Sequence, residues 1–113
     1  MNILTEILRA LKVPFTSSYA NQVYEEHPYR ESLYGLSQIL KSYGVENIGL
    51  KLKDKTQIES LETPCVMRFS DDFVLVTNIT LNAVDFRWRG NSMHLEKSVF
   101  LSRWQGIVLL LSK

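Results

Sequence analysis

The sequence predicts an α+β domain in which N-terminal helices pack on a mostly antiparallel sheet. Two observations carry this expectation. Up to Gly44 the apolar residues recur at the three-and-four spacing of a helix face, and after Gly44 they recur at every second position, as on a strand. The later strand-like runs flank short turns such as Ser70-Asp71-Asp72, the signature of hairpins.

The first helix is read from Ile3, Leu4, Ile7, Leu8 and Leu11, which share one face while Thr5, Glu6, Arg9 and Lys12 turn away from it. Pro14 ends it. Thr16 or Ser17 caps a second helix carrying Tyr19, Ala20, Val23 and Tyr24, which stops at His27-Pro28. Ser32 caps a third, whose stripe is Leu33, Leu36, Ile39, Leu40 and Tyr43, and Gly44 stands where a left-handed C-terminal residue belongs. Ile48, Leu50 and Leu52 then alternate with Asn47, Gly49, Lys51 and Lys53 in the first strand. Asp54 to Leu61 reads as a short helix, with Thr56 and Glu59 at capping-box spacing and Thr63-Pro64 closing it. Strands follow over Cys65 to Phe69, Phe73 to Ile79 and around Val84, Phe86 and Trp88 up to Gly90-Asn91, with a short strand at Met93 and His94. A helix around Glu96 to Trp104 precedes the last strand, Gly106 to Leu111, and Trp104 is expected in the core.

A chain of 113 residues with no internal linker is expected to form one domain spanning residues 1–113. With 45% hydrophobic and 22% charged residues it is neither a disordered chain nor a disulfide-rich scaffold. A net charge of +1 gives no electrostatic footprint for nucleic acid, and Lys51, Lys53 and Lys55 are expected to keep a strand edge solvated. One cysteine cannot form an internal disulfide, so a reducing compartment fits, and no His or Cys cluster has metal-ligand spacing. No cofactor is called for. Met1 to Lys12 is too short and too interrupted by polar residues for a signal peptide or a membrane span, and is expected to stay in the mature protein.

Several stretches, in order, resemble the bacteriocin-processing (double-glycine) cysteine peptidase domains found at the N-termini of ABC exporters. These are Ser32-Leu33-Tyr34-Gly35-Leu36-Ser37 with Gly44-Val45 and Ile48-Gly49-Leu50-Lys51-Leu52, then Leu61-Glu62-Thr63-Pro64-Cys65-Val66, then Asp72-Phe73-Val74-Leu75-Val76. Gly90, Leu95 to Trp104 and Gly106-Ile107-Val108-Leu109-Leu110 complete the series. The resemblance implies a papain-like cysteine peptidase fold. It also implies a catalytic Cys at the start of the first helix, a His opening a central strand and an Asp after the next strand.

The sequence departs from that pattern at each place. Neither a Cys nor the family's upstream oxyanion-hole Gln occurs in Met1 to Leu11, and the Cys position falls at or before Met1. Asp72 stands at the His position, and Phe86, Arg87 and Trp88 stand around the Asp position, with Asp85 nearby on the opposite strand face from Phe86. A carboxylate, with an ordinary pKa of about 3.9 against about 6.5 for imidazole, is no equivalent base near neutral pH. Cys65, after Pro64 at the start of a strand, is expected to be a buried apolar residue. His27 and His94 are expected at a helix end and facing solvent.

These residues point to a non-catalytic module with no metal site, binding a polypeptide segment or an adjoining domain and not nucleic acid. Tyr29, Arg30 and Tyr34 are the candidate binding patch, because Tyr and Arg are enriched where interfaces gain their energy. The resemblance implies a cytoplasmic location. The context would be the N-terminal cytosolic domain of a larger bacterial membrane protein, an exporter or a vitamin K epoxide reductase-like thiol oxidoreductase. The alternative is an active cysteine peptidase cleaving leader peptides, with its nucleophile at Cys65 or upstream of Met1.

Overall fold

A computed structural model of the chain describes residues 2–112. Met1 and Lys113, and with them the expected place of a catalytic Cys at or before Met1, lie outside the described residues. Three helices come first: α1 (Ile3–Ala10), α2 (Ser17–Glu26) and α3 (Leu33–Ser42). The strands are β1 (Glu46–Lys51), β2 (Cys65–Phe69), β3 (Asp72–Ile79), β4 (Ala83–Trp88), β5 (Asn91–Glu96) and β6 (Trp104–Ser112), with α4 (Lys97–Arg103) before the last. They form one six-stranded sheet in the order β1-β6-β2-β3-β4-β5, and every neighbouring pair is antiparallel.

The sheet is covered on both faces. Leu4, Ile7 and Leu8 of α1 join Leu36, Ile39 and Leu40 of α3 over Val66, Leu75 and Leu109 of the sheet. The opposite face carries Cys65, Met67, Phe69, Val74, Val76, Val84 and Phe86, closed by Ile58, Phe100 and Trp104. The strands alternate between two cores because successive side chains point to opposite sides. Phe69 is the hub of the second core, with ring centroids 5.1 Å from Phe86 and 5.0 Å from Phe100.

The helix caps follow the residue chemistry. Asn2 accepts from the Thr5 backbone N–H at 3.0 Å and Ser32 from that of Gly35 at 3.0 Å, each satisfying an amide that has no intrahelical partner. Gly35 is also where α3 meets the preceding turn, since a Cβ there would lie 1.9 Å from the Tyr29 carbonyl oxygen. Only glycine lets residues 27–32 fold back on the first turn of α3.

Several expectations need correction. Thr5 and Glu6 are buried rather than turned to solvent, because α1 is covered by α2 on one side and the sheet on the other, and Thr5 Oγ1 donates to the Asn2 carbonyl at 3.0 Å. The segment after β1 is a 3-10 helix, Lys55–Ser60, capped by Asp54 and not by a Thr56–Glu59 box: the Asp54 carboxylate accepts from the Thr56 N–H at 3.0 Å. Lys53 and Lys55 are therefore both off the strand, which ends at Lys51, and the Lys55 ammonium donates to the Leu101 carbonyl at 3.0 Å. Asp72 leaves the turn and opens β3 opposite Phe69, since Ser70 and Asp71 both take positive φ and close the hairpin with two residues. Trp104 is buried as expected but begins β6.

Candidate functional site

Where the N-terminus of α1 meets the start of β3 and the end of β4, the surface opens into a cleft of about 300 Å³. Asn2, Ile3 and Glu6 come from α1, Tyr24 from α2, Glu31 from the α2–α3 turn, Arg68 from β2, Asp72 and Phe73 from β3, and Arg87 from β4, with Asp71, Arg89 and Gly90 from the hairpin turns. Four carboxylates and three guanidinium groups line it, and no cysteine or histidine does so among the described residues.

Two charge pairs set its shape. Arg87 Nε donates to Glu6 Oε2 at 3.1 Å and Nη2 to Oε1 at 3.4 Å, while its remaining donors hold Ser92 Oγ at 2.7 Å and the Gly90 carbonyl at 2.9 Å. The guanidinium is thereby fixed at every nitrogen, and Glu6 holds its pKa above the ordinary arginine value. Asp72 Oδ2 accepts from Trp88 Nε1 at 3.0 Å and from Arg89 Nε at 2.8 Å. The Trp88 hydrogen bond first, and the Arg89 hydrogen bond and charge after it, hold the Asp72 carboxyl below its usual range against a desolvation that pushes the other way. A carboxylate so held stays ionised and accepts a proton poorly. Arg68 spans the floor, with its guanidinium 4.8 Å from the centroid of the Phe73 ring and Nη1 donating to the Glu31 carbonyl at 2.7 Å.

The cleft runs into a second depression lined by Pro28, Tyr29, Arg30, Glu31, Ser32 and Arg68, so that Glu31 and Arg68 belong to both. On its rim Tyr29 and Tyr34 are about three-fifths exposed and meet edge to face at 6.4 Å. Arg30 Nη1 is spent on the Glu25 carbonyl at 3.0 Å, which ties α2 to the turn.

The structure thus brings Asp72 and Arg87 to one cleft and places Tyr29, Arg30 and Tyr34 beside it. Phe86, expected at the same site, is 1% exposed in the second core on the opposite sheet face, as strand alternation with Arg87 requires. Glu6, Arg68 and Tyr24 were not foreseen. A glutamate one residue after Thr5 and one before Ile7 on a short, strongly apolar helix was the available signal for Glu6; Arg68 and Tyr24 gave none.

Cys65 lies on the same face as Phe86, fully buried, and burial pushes its thiol up to about 12. His27 ends α2, where its Nδ1 accepts from the Tyr29 N–H at 3.1 Å, and His94 on β5 pairs with the Asp85 carboxylate. Neither lines the cleft, although the His27 ring meets that of Tyr29 edge to face at 6.3 Å. Among the described residues there is no group of three or more His, Cys, Asp or Glu side chains arranged to hold a metal, and no helix is long and apolar enough to cross a membrane.

The fold has close relatives among solved structures. A double-glycine-motif protease from an AMS/PCAT transporter, solved in complex with the leader peptide, superposes with a TM-score of 0.81 at 16% identity, covering 96% of this chain and 79% of that one. The peptidase domain of Streptococcus ComA, a bifunctional ABC transporter of a quorum-sensing pathway, gives 0.77 at 14% identity over 96% and 86%. The N-terminal peptidase C39-like domain of a toxin secretion ATP-binding protein from Vibrio parahaemolyticus gives 0.73 at 11% identity over 97% and 92%. No curated protein sequence matches the chain significantly. The sequence pattern of the peptidase C39 family matches residues 3–113, and with the papain-like arrangement of helices on an antiparallel sheet the chain belongs to that family.

Proposed function

We propose that this domain binds a polypeptide along the cleft and its Tyr29–Tyr34 rim and does not cleave it. The observation that carries the reading is the composition of the cleft: carboxylates and guanidinium groups line it, while the chain's one thiol is sealed on the far face of the sheet. Cysteine peptidase chemistry needs a thiolate beside an imidazole with a third group fixing the ring. Asp72, taken as the counterpart of the family's His, is instead held ionised by the hydrogen bond from Trp88 and the ion pair with Arg89. Phe86 and Arg87 are the counterparts of the residues around its Asp.

A cleft of fixed charges continuous with two exposed tyrosines suits an extended peptide, whose backbone amides and carbonyls find partners of both signs. A relative of the same fold was solved with a leader peptide bound, which makes leader-type peptides the first ligand class to try. An adjoining domain of the same polypeptide is the second. The context that fits is the cytosolic N-terminal module of a larger bacterial membrane protein, an exporter or a thiol oxidoreductase, where such a domain presents a peptide rather than processing it.

Chemical-shift mapping with a double-glycine leader peptide tests this. Amides of Tyr29, Tyr34, Arg68 and Asp72 are expected to shift in a saturable way, and the peptide is expected to keep its full mass after prolonged incubation. Truncation of the peptide after its glycine pair would establish an enzyme, and unchanged shifts at saturating peptide would remove the proposed surface.

A further inference from the structure

The arginines that line the cleft and the depression beside it are of two kinds. Arg87 and Arg89 are paired with carboxylates of the chain, Glu6 and Asp72. Arg30 and Arg68 are not: neither forms an ion pair among the described residues, and both are held by backbone carbonyls instead. Strand alternation puts Arg68 on the face of Val66, away from Met67 and Phe69, and the β2–β3 register sets it opposite Phe73, whose ring its guanidinium covers. From there Nη1 donates to the Glu31 carbonyl at 2.7 Å and Nη2 to the Asp71 carbonyl at 3.4 Å, while Arg30 Nη1 donates to the Glu25 carbonyl at 3.0 Å. A carbonyl satisfies a donor without cancelling a charge. The Nε hydrogens of both arginines have no acceptor among the described residues, so two half-buried, oriented guanidinium groups keep open donors.

Both groups line the same depression, of about 420 Å³. One carboxylate stands against them there: Glu31 is exposed, and its side chain makes no ion pair with either arginine. Ser32, which caps α3, lines the depression too and brings the positive end of that helix's dipole to it. The local balance is therefore positive, whereas the neighbouring cleft holds four carboxylates against three guanidinium groups.

Building on the peptide-binding reading, we propose that this depression is a subsite for one acidic side chain of the bound peptide, an Asp or Glu whose carboxylate takes the open donors of Arg68 and Arg30. Guanidinium and carboxylate are planar, charge-assisted partners, and a half-buried guanidinium is screened less than one on open surface. The depression opens toward the cleft at Glu31 and Arg68 and toward the Tyr29–Tyr34 rim on its other side. A peptide occupying both runs through it, so the acid is an interior residue and not the C-terminal carboxylate. The net charge of the chain is only +1, so long-range attraction does not select an acidic ligand; the contact does, and it depends on where along the peptide the acid stands.

Calorimetric titration of the full chain with a series of double-glycine leader peptides tests the proposal. Each peptide has an amidated C-terminus and all its acids replaced by their amides except one glutamate, which is walked along the sequence. One position is expected to bind about tenfold more tightly than the all-amide peptide. Arg68→Met and Arg30→Met are each expected to cut that preference to under about threefold, and Arg68→Lys to keep part of it, because an ammonium retains the charge but not the fork. The Arg68 Nε–H resonance needs no variant: it should shift with the favoured glutamate peptide and stay in place with its glutamine counterpart. Peptides that shift the Tyr29 and Tyr34 amides yet bind alike wherever the glutamate stands would overturn the subsite and leave the peptide-binding reading intact. So would a preference that survives both methionine substitutions, or one that appears only with a free C-terminal carboxylate. Binding by no member of the series would remove the peptide-binding reading itself, and the subsite with it.

Discussion

Phe69→Ala is expected to destabilise the domain by about 3–5 kcal/mol, lowering the thermal midpoint by on the order of 15 °C. The Phe69 side chain is fully buried, stacked on Phe100 with ring planes 14° apart and packed edge-on against Trp88 at 5.4 Å. Three aromatic contacts vanish together, and the surrounding rings are too rigid to refill the space. The effect reaches the cleft, because the same Trp88 donates to Asp72. Near-UV circular dichroism should therefore weaken along with the midpoint. Phe69→Leu, which keeps most of the volume, is expected to cost less than half as much. A Phe69→Ala loss under about 1 kcal/mol would mean that the second core is not packed as described.

The second large effect is expected at the Glu6–Arg87 pair. The Glu6 side chain is 10% exposed and that of Arg87 33%, so truncating the arginine leaves a carboxylate against protein with little water to replace its partner. Arg87→Met is expected to cost about 2–3 kcal/mol, at the low end for a broken buried pair because the arginine is partly solvated. The double variant Glu6→Gln, Arg87→Met should be more stable than Arg87→Met alone, since it removes the stranded charge. A denaturant double-mutant cycle reads the coupling directly. Strict additivity of the two single changes would show that the pair does not hold α1 to the end of β4.

Much of the fold was legible because each helix carries its own period and its own stop. Ser32 and Gly44 bracket α3 as their chemistry dictates, and the switch to alternation at Ile48 marks the start of the sheet. Less legible was everything decided by packing at a distance. Thr5 and Glu6 read as a solvated face because one helix cannot report what lies on its other side; α2 and the sheet bury both residues, and Arg87, 81 positions away, makes the Glu6 burial tolerable. Lys53 and Lys55 continued the alternating run of Lys51, yet the strand ends at Lys51 and the Asp54 cap turns the chain into a 3-10 helix that begins at Lys55. Asp72 was found through the family resemblance, but its partners in the cleft, Trp88 and Arg89, were not, because the sequence could not orient them. Arg87 and Phe86 are adjacent in the chain, so only the strand's alternation separates the one that lines the cleft from the one that fills the core.

The proposed loss of peptidase activity requires that Cys65, the one cysteine of the sequence, form no thiolate–imidazole pair. The pH dependence of Cys65 alkylation in the native protein tests it most directly. A buried thiol pushed up to about 12 is protonated at neutral pH, so native labelling should be at least about a hundredfold slower than in the unfolded chain, with no inflection between about pH 4 and 8. Fast native labelling with an inflection in that window would reveal an activated thiolate and contradict the account.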